Sequence, residues 1–204
     1  MKRRILVAST NPGKLKELRE MLGGDIEWVG LSNFPNIPEI EEDGKTFAEN
    51  ARKKAIGYAK AIGLWTLADD SGLVVDAMNG QPGVKSARFS GAKEASRGLI
   101  DHKNMAKVLK LLEGVPKEKW TARFMCCLCL ASPEKVLIET SGKLEGLIID
   151  KPMGENGFGY DPIFFVPELN KTVAQMASGE KNAISHRGNA IRKLKPQIEE
   201  LLRG

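Results

Sequence analysis

The sequence predicts an α/β fold built on a mixed sheet. Two observations carry that class. Strand patterns alternate with helical ones as far as Gly114, and from Trp120 onward strand-like runs follow one another as hairpins do. In such folds the loops at strand ends hold the functional groups, so chemistry is sought there.

The elements follow in order. "RILVAS" is an apolar run that reads as a first strand, and "TNPGKLKELREMLGG" after it places Leu15, Leu18 and Leu22 at helical spacing before Gly23 and Gly24 stop the pattern. "IEWVGL" is a second strand, and the Pro-rich acidic stretch "PNIPEIEEDG" is a loop. Thr46 and Glu49 in "TFAE" form a capping-box pattern, which opens an Ala-rich helix running to Gly63. "LWTLADD" is a buried strand ending in two carboxylates, and "LVVDA" reads as another strand. The Gly- and Pro-containing segment "MNGQPGVKSARFSG" is too long for a simple connector. Met105, Val108, Leu109 and Leu112 mark an amphipathic helix, and "WTARFMCCLCLAS" and "KVLIETSGKLEGLIID" suggest an antiparallel strand pair. "GENGFGYDPIFFVP" sets a glycine loop before a short strand. The last helix carries Ile191, Leu194, Ile198 and Leu201, with Ser185 as its cap and Pro196 as a kink.

Composition narrows the class. A chain of 204 residues, 42% hydrophobic and 28% charged, buries a substantial core and is neither disordered nor membrane-spanning, since its longest uncharged apolar stretch, "FMCCLCLAS", is too short to cross a bilayer. "MKRRILVAS" leads into Asn-Pro-Gly instead of a small-residue cleavage site, which predicts a cytoplasmic protein. Lys and Arg outnumber Asp and Glu by 31 to 26, a net charge of +5 that suits a polyanionic ligand. The basic residues lie in short groups without a long stripe, which favours a small phosphate ester over nucleic acid. Cys126, Cys127 and Cys129 share one strand; with no second cluster to complete a zinc site, they read as buried reduced thiols.

Four segments carry chemistry. In "STNPGK", the small and hydroxylated residues Ser9, Thr10, Asn11, Pro12 and Gly13 leave backbone N–H groups open to an anion at a helix start, and Lys14 adds a charge. The Walker spacing is absent, and the segment reads equally as an ordinary turn. Asp69 and Asp70 stand side by side at the end of an apolar run, where like charge and burial both cost free energy, so a positive partner is expected. Magnesium accepts one or two carboxylates with phosphate oxygens and water. Alternation lets only one of the pair face such an ion, leaving the other to anchor backbone or basic groups. Glu41 of the acidic loop is a candidate second ligand; the run "EIEED" also reads as solvated, and Asp-Asp before Ser-Gly as a turn. "GFGYDPIF" sets aromatics between glycines, as suits a planar group stacking on Phe158 or Tyr160, or a tight turn feeding a buried strand. Lys181, His186 and Arg187 in "EKNAISHRGNA" supply donors for the acceptors of a six-oxo purine, or are plain surface charge; His102 reads as a solvated surface histidine.

Taken together, "STNPGKLKEL", "EEDGKTFAENARKKA", "ADDSGLVVDAMNGQPGVKSARFSG", "GFGYDPIFF" and "KNAISHRGNA", in that order and over nearly the whole chain, resemble the inosine triphosphate pyrophosphatase family. That family often has Thr where Ser9 stands, which keeps the hydroxyl. The resemblance implies one domain over residues 1–204, with an elongated mixed sheet flanked by helices, two lobes around a nucleotide cleft, and a homodimer. It implies that Ser9 to Lys14 and Ser71 contact the nucleotide with Lys54 beside them. Glu41 and Asp70 would hold Mg2+, Asp70 also accepting a proton, and Phe158, Gly159, Tyr160, Asp161, Lys181, His186 and Arg187 would form the base pocket. The implied reaction is attack of water at the α-phosphorus of a deaminated purine nucleoside triphosphate, giving the monophosphate and pyrophosphate. Neither nucleic acid nor membrane is an expected partner. Two alternatives stay open: a pyrophosphatase for pyrimidine triphosphates, with the same phosphate parts and another base pocket, and a non-catalytic nucleotide or RNA binder.

Overall fold

Alternation along one short strand sets how the sheet is covered. In the computed structural model, which describes residues 3–23, 26–93 and 96–203, β1 (Arg3–Ala8) sends Ile5 and Val7 into one apolar cluster and Leu6 and Ala8 into another. Burial on both faces belongs to a parallel strand covered on both sides. Its partners β2 (Ile26–Gly30) and β3 (Trp65–Val75) both run parallel to it.

Among the described residues the sheet has seven strands in the order β2-β1-β3-β4-β5-β6-β7. The remaining members are β4 (Thr121–Ala131), β5 (Val136–Ile148), β6 (Phe164–Val166) and β7 (Lys171–Thr172). β5–β6 and β6–β7 pair antiparallel, so the sheet is mixed, as the sequence predicts. The helices are α1 (Pro12–Leu22), α2 (Phe47–Ile62), α3 (Arg97–Leu112), α4 (Ser178–Ile184) and α5 (His186–Arg203). No helix of the described residues is long and apolar enough to cross a membrane.

The chain forms two compact units interleaved along the sequence. The first comprises Met1–Asp70, Cys126–Gly142 and His186–Gly204, the second Ser71–Met125 and Lys143–Ser185. In the first, Leu18 and Leu22 of α1 join Ala190, Ile191, Leu194 and Ile198 of α5 in the cluster that takes Ile5 and Val7. Ala51, Ala55, Tyr58 and Ala59 of α2 join Leu6 and Ala8 in the other. Cys126 and Leu128 belong to the α1/α5 cluster and Cys129 to the α2 cluster, so the thiols divide between faces as alternation requires. Cys127 is only half-buried, which departs from the expectation of three buried thiols. In the second unit Met105, Val108 and Leu112 of α3 pack with Leu73, Val75, Trp120 and Phe124, whose ring lies 4.4 Å from that of Phe164.

Several local expectations hold in detail. Thr46 Oγ1 accepts the amide of Glu49 (3.1 Å) and Glu49 Oε2 accepts that of Thr46 (3.2 Å), the reciprocal capping box opening α2. Gly63 closes α2 at φ +74°, a left-handed value that suits glycine. Other expectations are corrected. β3 runs unbroken through Asp69, Asp70, Ser71 and Gly72, so the two runs expected on either side of the acid pair are one strand. α4 and β7 carry too few residues for their periodicity to be read. Ser185, expected as the cap of the last helix, directly precedes α5 and also ends α4, and Pro196, expected as a kink, lies inside α5 as that reading requires. Gly24, expected to help end the first helix, lies outside the described residues; Gly23 caps α1 at φ +45°.

Candidate active site

The register of β1 against β3 builds the first half of the site. Ala8 pairs with Ala68, after which β1 turns through Ser9 to Asn11 into α1 while β3 continues as Asp69 and Asp70. Leu67 packs in the α1/α5 cluster and Ala68 in the α2 cluster. Continued alternation therefore sends Asp69 toward α1 and α5, and Asp70 toward α2.

Their surroundings follow from that split. The Asp69 carboxylate is ion-paired with Lys14 of α1, accepts Arg187 Nε of α5 at 2.8 Å, and accepts the Cys126 thiol at 3.2 Å. Arg187 is itself 1% exposed and pairs through Nη1 with Glu17 of α1. Burial pushes the Asp69 carboxyl up, but Arg187 and Lys14 outweigh it and hold it well below the usual carboxylate range. Asp70 is otherwise placed. Its Oδ2 accepts Asn50 Nδ2 at 3.0 Å, and Lys54 Nζ lies 4.0 Å from Oδ1, already engaged with the Asp69 carbonyl (2.7 Å) and Glu42 (2.5 Å). Burial raises Asp70 to about 6; Lys54, Lys14 and the Asn50 hydrogen bond oppose this, and Glu42 adds to it. Asp69 has its cations. Asp70 is buried with too little positive charge to hold it ionised in the ordinary range.

A divalent cation fits that deficit. Beside the Lys54 ammonium and the Asn50 amide, Asp70 and Glu42 offer carboxylate oxygens, the chemistry magnesium takes. Among the described residues no group of three or more His, Cys, Asp or Glu could hold a metal ion. A cation here depends on one or two carboxylates completed by substrate phosphate and water, which is the usual manner of magnesium. The carboxylate close enough to raise Asp70 is Glu42, which is partly buried, whereas Glu41 is exposed. The acidic loop is moored to α2 by Gly44 N donating to Asn50 Oδ1 (2.7 Å), Lys45 N to Glu49 Oε2 (2.7 Å) and Ile40 N to Tyr58 Oη (3.3 Å).

The turn before α1 differs from expectation. Asn11 Oδ1 caps the amides of Gly13 (2.9 Å) and Lys14 (3.3 Å), and Ser9 Oγ takes the amide of Asn11 (3.2 Å). Those N–H groups are used inside the turn, not left open to an anion, because an Asn at the N-cap satisfies them first. Thr10 and Pro12 are exposed and Ser9 is partly so. His186, the first residue of α5, is buried, while Ser71 is partly exposed.

The second unit holds the aromatic loop. Asp161 Oδ2 accepts both Phe158 N (2.9 Å) and Lys181 Nζ (2.7 Å), and Lys181 Nζ stands 4.6 Å from the Phe158 ring centroid. A Cβ on Gly157, at φ +79°, would meet Asp161 Cγ at 2.9 Å, and Gly159 has φ +65°, so the glycines are already required by the loop's own turn. Tyr160 is 5% exposed, donates its hydroxyl to the Ser86 carbonyl (2.8 Å) and packs in the core. Of the two aromatics proposed for stacking, Phe158 alone keeps appreciable exposure.

Among the sequence-derived candidates, Lys14, Lys54, Asp70, His186 and Arg187 thus belong to the first unit, and Phe158 to Asp161 with Lys181 to the second. Sequence reading missed Glu17, Glu42 and Asn50. Asn50 had a signal, since asparagine is a poor helix former and sits inside α2. Glu17 had none: it adjoins an apolar stripe like many surface residues.

Comparison with known proteins gives the family. The chain is 50% identical over 196 residues to a dITP/XTP pyrophosphatase of Geobacter sulfurreducens, covering 96% of each. A HAM1 protein from Coxiella burnetii superposes with a TM-score of 0.86 at 42% identity, over 97% of this chain and 99% of the other. A nucleoside-triphosphatase/dITP/XTP pyrophosphatase from Mycobacterium abscessus does so at 0.76 and 43%, over 95% and 99%. With a family model matching residues 5–197 as well, the chain belongs to the Ham1 family.

Proposed function

We propose that this protein hydrolyses deaminated purine nucleoside triphosphates, dITP, ITP and XTP, to the monophosphate and pyrophosphate, and that it needs Mg2+ to do so. The observation that carries the reading is the unequal fate of the acid pair: Asp69 is neutralised by Lys14 and Arg187, while Asp70 is buried and raised to about 6. Asp70 and Glu41 of the acidic loop would hold that ion, whose charge would offset the charge on the phosphate oxygens.

The chain's own residues do the rest. Lys14 and Lys54 hold the triphosphate, with Ser9, Thr10, Asn11, Pro12, Gly13 and Ser71 lining its path. Asp70 accepts a proton from the attacking water as its oxygen bonds to the α-phosphorus and the bond to the β-phosphoryl oxygen breaks. Phe158 stacks on the base, and Lys181, held by Asp161, presents a donor suited to a six-position carbonyl. Adenine meets that donor with its own amino group and is rejected. His186 lies at the start of α5, and we assign it, with Gly159 and Tyr160, to the base-recognising set. Arg187 is assigned to the same set, with its guanidinium tied to Asp69 and Glu17. We further propose a cytoplasmic homodimer that binds neither nucleic acid nor membrane.

The test is a panel of triphosphates with purified protein and Mg2+, scoring pyrophosphate against orthophosphate. Expected are pyrophosphate from dITP and XTP, little from dATP or dUTP, and loss of turnover with EDTA. Preference for dUTP would transfer the reading to pyrimidine substrates, and binding without pyrophosphate release would end it. Light scattering should return about twice the chain mass of 22.3 kDa.

A further inference from the structure

α3 reads in the sequence as an ordinary amphipathic helix, yet two polar side chains on it, Asp101 and Asn104, are only 7% and 1% exposed. Three residues apart, they share one face. Asp101 Oδ2 accepts the amide of Gly159 at 2.9 Å, and its other oxygen stands 3.1 Å from Arg97 Nε. Asn104 Oδ1 accepts the amide of Ser90 (2.7 Å) and its Nδ2 donates to the Ser86 carbonyl (3.3 Å). That same carbonyl accepts the Tyr160 hydroxyl at 2.8 Å. The aromatic loop is therefore tied to α3 twice, directly through Asp101 and Gly159 and indirectly through Asn104, Ser86 and Tyr160.

Burying a carboxylate is costly, and an apolar side chain would fill this helix face at less desolvation. What Asp101 gains is a charge-assisted hydrogen bond to the middle residue of the loop. On one side of Gly159 is the Phe158 ring; on the other is Asp161, which holds Lys181. We infer that Asp101 is a positioning residue for base recognition: by holding the Gly159 amide it fixes the Phe158 ring and the Asp161–Lys181 pair in the orientation that reads the base. This rests on the base-recognising role proposed above.

The test compares wild type, Asp101→Ala and Asp101→Asn. Asn keeps an acceptor for the Gly159 amide; Ala removes it. Expected for Asp101→Ala is a KM for dITP raised about tenfold, the size of one lost charge-assisted hydrogen bond, with kcat and the Ki of inorganic triphosphate within about twofold. The ratio of kcat/KM for dITP over dATP should fall, and amide exchange over residues 157–161 should quicken. Asp101→Asn, which keeps a neutral acceptor for the Gly159 amide, should reverse most of each change. An unchanged KM, or a KM that rises in step with the Ki of inorganic triphosphate, overturns the inference. If Asp101→Ala fails to fold, Asp101→Leu fills the same face and gives the same readings. A wild type inert toward dITP would instead refute the substrate reading, and the exchange measurement would still report whether Asp101 holds the loop.

Discussion

Two adjacent aspartates show how far environment separates residues of one type. Asp69 is the anionic centre of a buried group with Lys14, Arg187 and Glu17, so removing its charge leaves buried cations short of a partner. Asp69→Asn should lower stability by about 3–5 kcal/mol in denaturant unfolding, the cost of breaking a buried pair from one side. Asp70 is the opposite case. Asp70→Asn should abolish pyrophosphate release while leaving the melting temperature equal to or above wild type, because it removes a buried charge that its neighbours stabilise poorly. Near-normal turnover in that variant would take Asp70 out of the mechanism. Phe158→Ala should weaken dITP binding more than that of inorganic triphosphate, since the ring lies beside Lys181 in the loop assigned to the base. Equal losses would mark Phe158 as structural.

At the scale of elements, α2 brings Asn50 and Lys54 to Asp70, and β4 carries the thiols. The Thr46–Glu49 capping box starts α2 about one turn before Asn50 and two before Lys54, and the Glu49 carboxylate also takes the Lys45 amide of the acidic loop. Thr46→Ala should cost about 1 kcal/mol in thermal or urea unfolding, the usual value of an N-cap. β4 places its thiols on both faces of the sheet. Burial pushes Cys127 up to about 11 and Cys129 to about 12, so both remain protonated at pH 8, where the thiolate needed for alkylation is scarce. Iodoacetamide labelling of the native protein followed by mass spectrometry should be slow at pH 8 and quicken as pH rises toward those values. Rapid labelling at pH 7 would contradict this burial. The capping box was legible because it is a local pattern. The single strand through Asp69 and Asp70 was not, because two charges in an apolar run look like a strand end until their partners from α1 and α5 are in place.

At the scale of the whole molecule, composition and order of elements were already informative. A net charge of +5 without a basic stripe predicts weak salt dependence. Between 50 and 200 mM KCl, kcat/KM for dITP should fall by only roughly severalfold, well short of the ~1,000-fold or greater loss seen when many phosphates of a nucleic acid are bound. The sequence by itself determined the α/β class, most helix and strand positions, and the segments that carry polar chemistry, since these depend on periodicity, caps and turn residues close together in the chain. Only the tertiary structure decided that Asp69 and Asp70 have different partners, that Glu42 pairs with the Lys54 next to Asp70 while Glu41 is exposed, and that Asp101 holds the aromatic loop. The physical reason is sequence distance: Asp69 meets Arg187 across 118 residues and Asp101 meets Gly159 across 58, and no local pattern encodes a bond between groups brought together only by folding.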